Sequence, residues 1–152
     1  MTQDTKKSRS SSAAVASFIG DAMIGNLYEV EASRLALQRA KSDQVRTFAA
    51  MMLDDHLTAG HQLQSTLRSM PNIAKVPSEL DDKHGKMIDT LRNATDDDFD
   101  GQYLKQQAKA HKENLTLFRS FADSGDNPIL RTFATATLPS LERHLDMVKA
   151  VK

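Results

Sequence analysis

The sequence has 152 residues, with 20 Lys and Arg against 20 Asp and Glu, so its formal net charge is zero. This length predicts one domain, and the balanced charge argues against a nucleic-acid-binding protein, which normally carries a basic excess. The absence of cysteine excludes disulfides, zinc ribbons and thiol nucleophiles. No apolar segment approaches the roughly 20 residues that a transmembrane helix needs.

The amino-terminal segment, residues 1–12, is polar and contains a run of serines. It predicts a disordered arm ahead of a single domain over residues 13–152. The next stretch, residues 13–20, is short and weakly apolar for a secretory signal, and Asp21 interrupts it. From the chain as written we therefore expect a cytoplasmic protein.

Four long segments carry the 3.6-residue hydrophobic period of amphipathic helices, and a shorter one lies between the second and third. The predicted helices cover about residues 13–40, 42–70, 79–93, 96–123 and 128–151. Residues that favour helix N-caps stand at four of the expected starts: Ser42, Ser78, Thr95 and Asn127. No segment alternates as a strand would. The pattern predicts an all-α fold, an up-down bundle of four long helices with one additional short helix.

Each long helix carries one potential metal ligand on the stripe that is expected to face the core: Glu29, His56, His111 and His144. Burying a carboxylate or an imidazole is costly unless it is hydrogen-bonded, paired or coordinated. His56 and His111 lie at or beside the centres of their helices, and Glu29 lies about 4 Å from its helix centre. We therefore expect these three side chains to converge near the middle of the bundle.

His144 lies roughly 7 Å from the centre of its predicted helix, so its convergence with the other three requires help from a bend. Pro139 stands just over one turn before it. A proline inside a helix removes one backbone hydrogen bond and kinks the chain. Three arrangements stay open: a kink at Pro139, a fresh helical segment capped by Thr137, or simple curvature.

Four segments carry a combination of residues that is more specific than any one of them: GNLYEVEASRLA at 25–36, FAAMMLDDH at 48–56, FDGQYLKQQAKAH at 99–111 and FATATLPSLERHL at 133–145. With PSEL at the start of the short helix, they span nearly the whole chain from about residue 14. This combination resembles a bacterial ferritin-like family of unknown function, whose members are often described as predicted outer-membrane or periplasmic proteins.

The resemblance implies a ferritin-like bundle and, as the alternative location, the periplasm. The family has no agreed activity to transfer. Its polar motif positions correspond here to five residues: Glu29, Asp55, His56, His111 and His144.

The candidate ligands suit a single transition-metal ion better than a di-iron centre. Di-iron proteins of the wider ferritin-like group carry a Glu-x-x-His pair on each of two helices. In this sequence no glutamate stands three residues before His56, His111 or His144. Three imidazoles and one carboxylate suit Zn, Cu, Ni or Fe. Asp55 is expected either as an additional ligand or as an acceptor that fixes an imidazole tautomer.

A metal-free hydrogen-bond network is the alternative. In it, Glu29 accepts hydrogen bonds from His56 and His111 and sets the register of the bundle. Glu31 would replace Glu29 if the first helix were rotated. The two remaining histidines, His61 and His84, lie away from the central stripes and are expected to be solvated.

Three functions stay open. The first is a non-enzymatic ferritin-like bundle that binds one transition-metal ion, with a role in metal handling or, by fold analogy alone, in stress tolerance. The second is a metal-free structural module that docks a protein partner through an exposed apolar patch near Met87. The third is a metal-dependent oxidoreductase with an open coordination position. The sequence decides neither the metal nor whether the protein forms a homo-oligomer.

Overall fold

The protein is all-helical in a computed structural model that describes the backbone of residues 2–70 and 76–151 and the side chains of residues 13–70 and 76–151. The described residues form five helices: α1 (Thr2–Arg39), α2 (Asp43–Arg68), α3 (Asp82–Asn93), α4 (Phe99–Ser124) and α5 (Pro128–Ala150). The all-α prediction is confirmed. The helix α1 begins at Thr2, so the backbone of residues 2–12 is helical where the sequence predicts a disordered arm. The domain bounds stay a prediction. Among the described helices, none combines the length and apolar character that a membrane span requires.

The helix starts follow the predicted caps in two cases and depart from them in two. Ser42 and Asn127 cap α2 and α5 as expected, each accepting a hydrogen bond from the backbone N–H three residues later. Asp81 caps α3, so the helix begins about one turn later than the start expected at Ser78. Aspartate and serine are equally good N-caps, so residue type alone does not choose between them. Thr95 accepts from the backbone N–H three residues on, within a turn that precedes α4.

The helices pack as two hairpins with α3 against one side. α1 packs on α2, and α4 packs on α5. Contacts of α1 with α4 and of α2 with α5 join the two pairs, so the long helices follow the cyclic order α1, α2, α5, α4. The short helix α3 contacts α1 and α4.

The core consists of two hydrophobic clusters along the long helices. The first includes the α3 residues Ile88 and Leu91, and the second holds an aromatic group in which the rings of Phe18 and Phe121 stack with centroids 4.0 Å apart. Met87 is partly buried against the first cluster, so the exposed apolar patch expected around this residue is wrong. Along their helices, the buried residues His56, His111 and His144 lie between the residues of the two clusters.

Arg39, at the end of α1, fixes the position of α3. Its guanidinium donates to the backbone carbonyl oxygens of Leu91 at 2.8 Å, Arg92 at 3.0 Å and Ala94 at 2.6 Å. These carbonyls stand at the end of α3, where helical partners run out and the helix dipole favours a cation. The same guanidinium lies 4.8 Å above the centre of the Phe99 ring.

Replacing Arg39 by leucine is therefore expected to lower the free energy of unfolding by about 2 kcal/mol, because three backbone carbonyls, two of them partly buried, lose a charged donor. Urea unfolding followed by circular dichroism measures the change. Arg34→Leu, at an exposed position of the same helix, is the matched control and should stay within about 0.5 kcal/mol of wild type. Equal effects of the two substitutions would contradict this role of Arg39.

Candidate metal centre

Three histidines from three different helices meet in the core. His56 on α2, His111 on α4 and His144 on α5 are 6%, 0% and 1% exposed. One ring nitrogen from each lies within 4.8 Å of the corresponding nitrogen of the other two. The ring centroids are 5.4 to 6.1 Å apart. The expected convergence of His56 and His111 is confirmed, and His144 joins them.

The helix that carries His144 reaches the core without a break. α5 is a single helix from Pro128 to Ala150 and contains Pro139 in its interior. The Thr137 hydroxyl donates to the carbonyl oxygen of Phe133 at 2.8 Å, one turn earlier. Thr137 therefore does not cap a fresh helical segment, and that alternative is wrong.

Each imidazole is hydrogen-bonded on its outer side to an oxygen that can only accept: His56 Nδ1 to Asn26 Oδ1 at 3.0 Å, His111 Nδ1 to the carbonyl oxygen of Gln107 at 2.8 Å, and His144 Nε2 to Asp55 Oδ2 at 2.7 Å. Each ring must therefore donate from that outer nitrogen. In a neutral imidazole the other nitrogen then carries a lone pair. The inner nitrogens are His56 Nε2, His111 Nε2 and His144 Nδ1.

These three inner nitrogens are buried and have no hydrogen-bond partner among the described residues. Lone pairs cannot hydrogen-bond to one another, so the group requires either donors or a cation at its centre. A neutral imidazole held by an acceptor on its far nitrogen is the usual form of a histidine metal ligand. The donor set therefore fits a transition-metal ion.

The electrostatics keep the rings in this form. Burial lowers the pKa of His111 to about 4, and burial together with the neighbouring imidazoles holds the pKa of His56 well below its ordinary value. Burial also lowers the pKa of His144, although the Asp55 carboxylate opposes part of the shift. All three imidazoles are neutral at pH 7 and able to coordinate an ion.

Glu29 is fully buried but stands apart from the inner nitrogens. Its Oε1 lies 3.9 Å from His111 Nδ1, the outer nitrogen that is already bonded to Gln107. Neither carboxyl oxygen of Glu29 has a hydrogen-bond partner among the described residues, so the predicted network from Glu29 to His56 and His111 is wrong. Burial raises the pKa of Glu29 to about 8, although the Gln107 side chain opposes the rise. Glu29 is therefore a neutral carboxyl beside the centre at pH 7.

The other two predicted carboxylates lie nearer the surface. Asp55 is 29% exposed and holds His144, and it also lies 3.4 Å from Arg143 Nη2. Asp55 is therefore the acceptor that fixes the tautomer of His144. It does not belong to the group of potential ligands formed by His56, His111 and His144. Glu31 forms an ion pair with Arg92 at 2.7 Å on the outside of α1. The alternative in which Glu31 replaces Glu29 in the core is therefore wrong.

Sequence reasoning missed Asn26 and Gln107, which hold two of the rings. Gln107 stands one turn before His111, and its role rests on a backbone carbonyl that no side-chain pattern reveals. Asn26 fits against α2 because Gly60 has no side chain: a Cβ there would lie 2.6 Å from Asn26 Nδ2. The asparagine in the GNLYE segment, on the core side of α1, was the available signal.

The remaining histidines differ from each other. His61 is exposed, as predicted. His84 is not, because its side chain is 18% exposed, bonds to Asp81 at 2.6 Å and packs near the ring of Tyr28. Neither belongs to the group of three inner nitrogens.

The family is shown by a match over residues 1–151 to the family model described as a domain of unknown function, DUF4142. The chain belongs to this family. The match confirms the expected helical family of unknown function. No curated protein sequence matches this DUF4142 chain.

Two solved structures share the fold of the DUF4142 chain. A DUF305 fragment from Deinococcus radiodurans has a TM-score of 0.76 at 12% identity, covering 90% of this chain and 93% of that one. CopM, solved in the Cu(II)-bound form, has a TM-score of 0.73 at 17% identity, covering 89% of this chain and 93% of that one. At these identities the likeness concerns the fold alone.

Proposed function

We propose that this DUF4142 protein binds one transition-metal ion in its core and serves in metal handling rather than catalysis. The ligands are His56 Nε2, His111 Nε2 and His144 Nδ1. One observation carries the proposal: these buried nitrogens have no hydrogen-bond partner among the described residues, while an acceptor holds the far side of each ring.

The geometry of the three nitrogens supports a small tetrahedral or trigonal site. Ligands about 2.1 Å from a tetrahedral ion are about 3.4 Å from one another. One nitrogen of each ring lies within 4.8 Å of one nitrogen of each of the other two rings. Side-chain movements on the order of 1 Å would therefore bring three ring nitrogens to coordination distance. The remaining position of a tetrahedral ion stays open for water or another ligand.

The chemistry of the ligands narrows the choice of ion. Neutral imidazoles without thiolate or a directly coordinating carboxylate suit Cu, Zn, Ni or Fe and disfavour Ca and Mg. Cu(II) is the first ion to test, because CopM has the same fold at a TM-score of 0.73 and was solved with Cu(II). In this proposal Asp55 orients His144, and Glu29 lies beside the site without coordinating the ion.

The arrangement of helices supports the same assignment. The cyclic order α1, α2, α5, α4 suits an up-down four-helix bundle of the ferritin-like type, with α3 as the additional helix. Bundles of this kind build metal sites from side chains that face inward on different helices. The three histidines come from α2, α4 and α5, which fits this construction.

The test is a metal titration of protein purified without a histidine tag and stripped with a chelator. Elemental analysis after equilibrium dialysis against Cu(II) or Zn(II) should find one ion per chain. His56→Ala and His111→Ala should each weaken binding by more than about 100-fold, because the loss of a ligand costs more than the roughly 10- to 100-fold loss of its hydrogen-bond partner. His61→Ala, which removes an exposed histidine from α2, is the matched control and should bind as wild type does. Equal binding by His111→Ala and wild type would overturn the site and favour the metal-free structural bundle.

Asn26 provides a second test of the same site. Asn26→Leu removes the acceptor from His56 Nδ1, so we expect the affinity for Cu(II) to fall by about 10- to 100-fold. Asn26→Asp keeps an oxygen acceptor and should retain most of the affinity. A competition titration against a chelator of known affinity measures both variants. An unchanged affinity in Asn26→Leu would contradict the orienting role of Asn26.

A further inference from the structure

The three inner nitrogens are closed off from solvent. They are buried, and the residues that carry them are at most 6% exposed. A hydrated ion therefore reaches them only when part of the surrounding structure opens. Local openings of this kind cost less free energy than global unfolding. The contacts that hold the three rings indicate which part opens.

Two of the rings are held within a single hairpin. His111 bonds to a carbonyl oxygen one turn earlier on its own helix, α4. His56 on α2 bonds to Asn26 on α1, and Asn26 fits closely against Gly60 of α2. Neither contact crosses from the α1–α2 hairpin to the α4–α5 hairpin. Both rings therefore keep their orientation when the two hairpins separate slightly.

The contact that holds the third ring crosses between the hairpins. His144 lies on α5, and the carboxylate that accepts from its Nε2 belongs to Asp55 on α2. A small separation of α2 from α5 breaks this hydrogen bond and frees the ring to turn. His144 is therefore the ligand that a local opening releases first.

The same contact connects the site with solvent. The side chain of His144 is 2% exposed, that of Asp55 is 29% exposed and that of Arg143 is 58% exposed. The three groups touch in this order, because Asp55 Oδ2 lies 2.7 Å from His144 Nε2 and 3.4 Å from Arg143 Nη2. One carboxylate oxygen thus meets a ligand ring on its inner side and an exposed cation on its outer side.

The charges of this pair act in opposite directions on an approaching cation. The Asp55 carboxylate attracts the cation and offers it an oxygen ligand. The Arg143 guanidinium repels the cation and competes for the same oxygen. Charges at the mouth of a binding site change the association rate of a charged ligand by roughly 10- to 1,000-fold, and salt screens the effect. Asp55 and Arg143 are therefore placed to set the rate at which an ion is taken up.

We propose that Asp55 and Arg143 form an entry site for the metal ion at the surface between α2 and α5. The Asp55 carboxylate binds a hydrated divalent cation from solvent and gives up its hydrogen bond to His144. The released imidazole becomes the first ring ligand of the ion and delivers it to His56 and His111. Asp55 then accepts again from His144 Nε2. This inference rests on the proposed metal site.

The experiment measures the rates of Cu(II) uptake and release in protein whose equilibrium copper content is already known. The chain has two tyrosines and no tryptophan, and Cu(II) quenches tyrosine emission, so stopped-flow fluorescence follows uptake by the stripped protein. Mixing the loaded protein with excess chelator follows release.

Asp55→Asn keeps an oxygen that can accept from His144 Nε2 but removes the charge. It should slow uptake by about 10-fold at low salt, and the difference from wild type should shrink at high salt. Asp55→Glu keeps the carboxylate and should keep uptake near the wild-type rate. Asp54→Asn removes an exposed carboxylate from the neighbouring position of α2 and should leave uptake unchanged.

Arg143→Gln should have the opposite effect. Uptake should become faster by about threefold or more at low salt, because the repelling charge is gone. Arg131→Gln makes the same change at an exposed position of α5 and should leave both rates as in wild type. Arg143 is exposed, so this variant decides the question even if Asp55→Asn does not fold.

The two rates separate an entry site from a carboxylate that only orients His144. In the second case Asp55→Asn would release Cu(II) faster and take it up at the wild-type rate, which overturns the entry site. Absence of bound copper in wild type overturns both the metal site and the entry site. One copper ion per chain, with wild-type uptake in both Asp55→Asn and Arg143→Gln, overturns the entry site alone.

Discussion

Saturating the stripped protein with Cu(II) or Zn(II) is expected to raise its melting temperature by roughly 8–16 °C. An ion at 1,000 times its dissociation constant adds about 4 kcal/mol when it binds the folded chain alone. In a domain of this size, each kcal/mol moves the melting temperature by about 2–4 °C. Thermal unfolding followed by circular dichroism, with and without the ion, measures the shift.

The variants make this result specific to the three histidines. In His111→Ala the ion should raise the melting temperature by only a small fraction of the wild-type shift, whereas His61→Ala should keep the full shift. Burial lowers the pKa of His111 to about 4, so protons compete weakly with the ion in mildly acidic solution. The wild-type shift should therefore be as large at pH 6 as at pH 7.5. The same shift in His111→Ala and wild type would place the bound ion elsewhere.

Glu29→Gln is expected to stabilise the metal-free protein above pH 6.5. The pKa of Glu29 rises from 4.5 to about 8 on burial, so between these values the unfolded chain has released a proton that the folded chain keeps. Folding stability from this group therefore falls as pH rises through that range. Between pH 6.5 and 8 the loss is about 2 kcal/mol, at about 1.4 kcal/mol for each pH unit. A glutamine, neutral at every pH, abolishes this loss.

Urea unfolding of chelator-treated protein at pH 6.5 and pH 8 tests the prediction. The advantage of Glu29→Gln over wild type should grow by about 2 kcal/mol between the two values. Glu31→Gln, which removes a partly exposed carboxylate from the same helix, should leave the pH dependence of wild type unchanged. If the free energy of unfolding changed with pH in the same way in Glu29→Gln and wild type, Glu29 would not be protonated in the folded protein.

Below pH 6.5 the histidines reverse the trend. Their pKa values are lower in the folded protein than in the unfolded chain, so their contribution to stability is full above pH 6.5 and falls as the solution becomes more acidic. Below pH 6.5, the loss of folding stability from the three histidines exceeds the gain from Glu29. The metal-free wild-type protein should therefore be most stable near pH 6.5.

The periodicity of the sequence was sufficient to predict the helices and the buried histidines. The stripe of apolar residues fixes the direction of each helix face, and a histidine on that stripe must enter the core. His56 and His111 lie near the centres of their helices, so their meeting required only the rise per residue. The position of His144 was harder to predict, because residue spacing does not determine the path of α5 around Pro139.

The finer features of the site depend on side-chain rotation that the sequence does not encode locally. Glu29 shares the expected stripe, yet its carboxyl group approaches the outer nitrogen of His111 rather than the inner one. Which ring nitrogen faces inward follows from acceptors on other helices or on the backbone, such as Asn26 and the carbonyl of Gln107. Asp81 displaced Ser78 as the cap of α3 because several good caps stood close together and only packing chooses among them.

The distribution of the three imidazoles between the hairpins has a mechanical consequence. His56 belongs to the α1–α2 hairpin, whereas His111 and His144 belong to the α4–α5 hairpin. A shared ion would therefore link the two hairpins directly, in addition to side-chain packing and to hydrogen bonds such as that between Asp55 and His144. Removal of the ion would therefore weaken the contact between the two hairpins before either hairpin unfolds. Faster amide hydrogen exchange along α2 and α5 in the metal-free protein would detect this change.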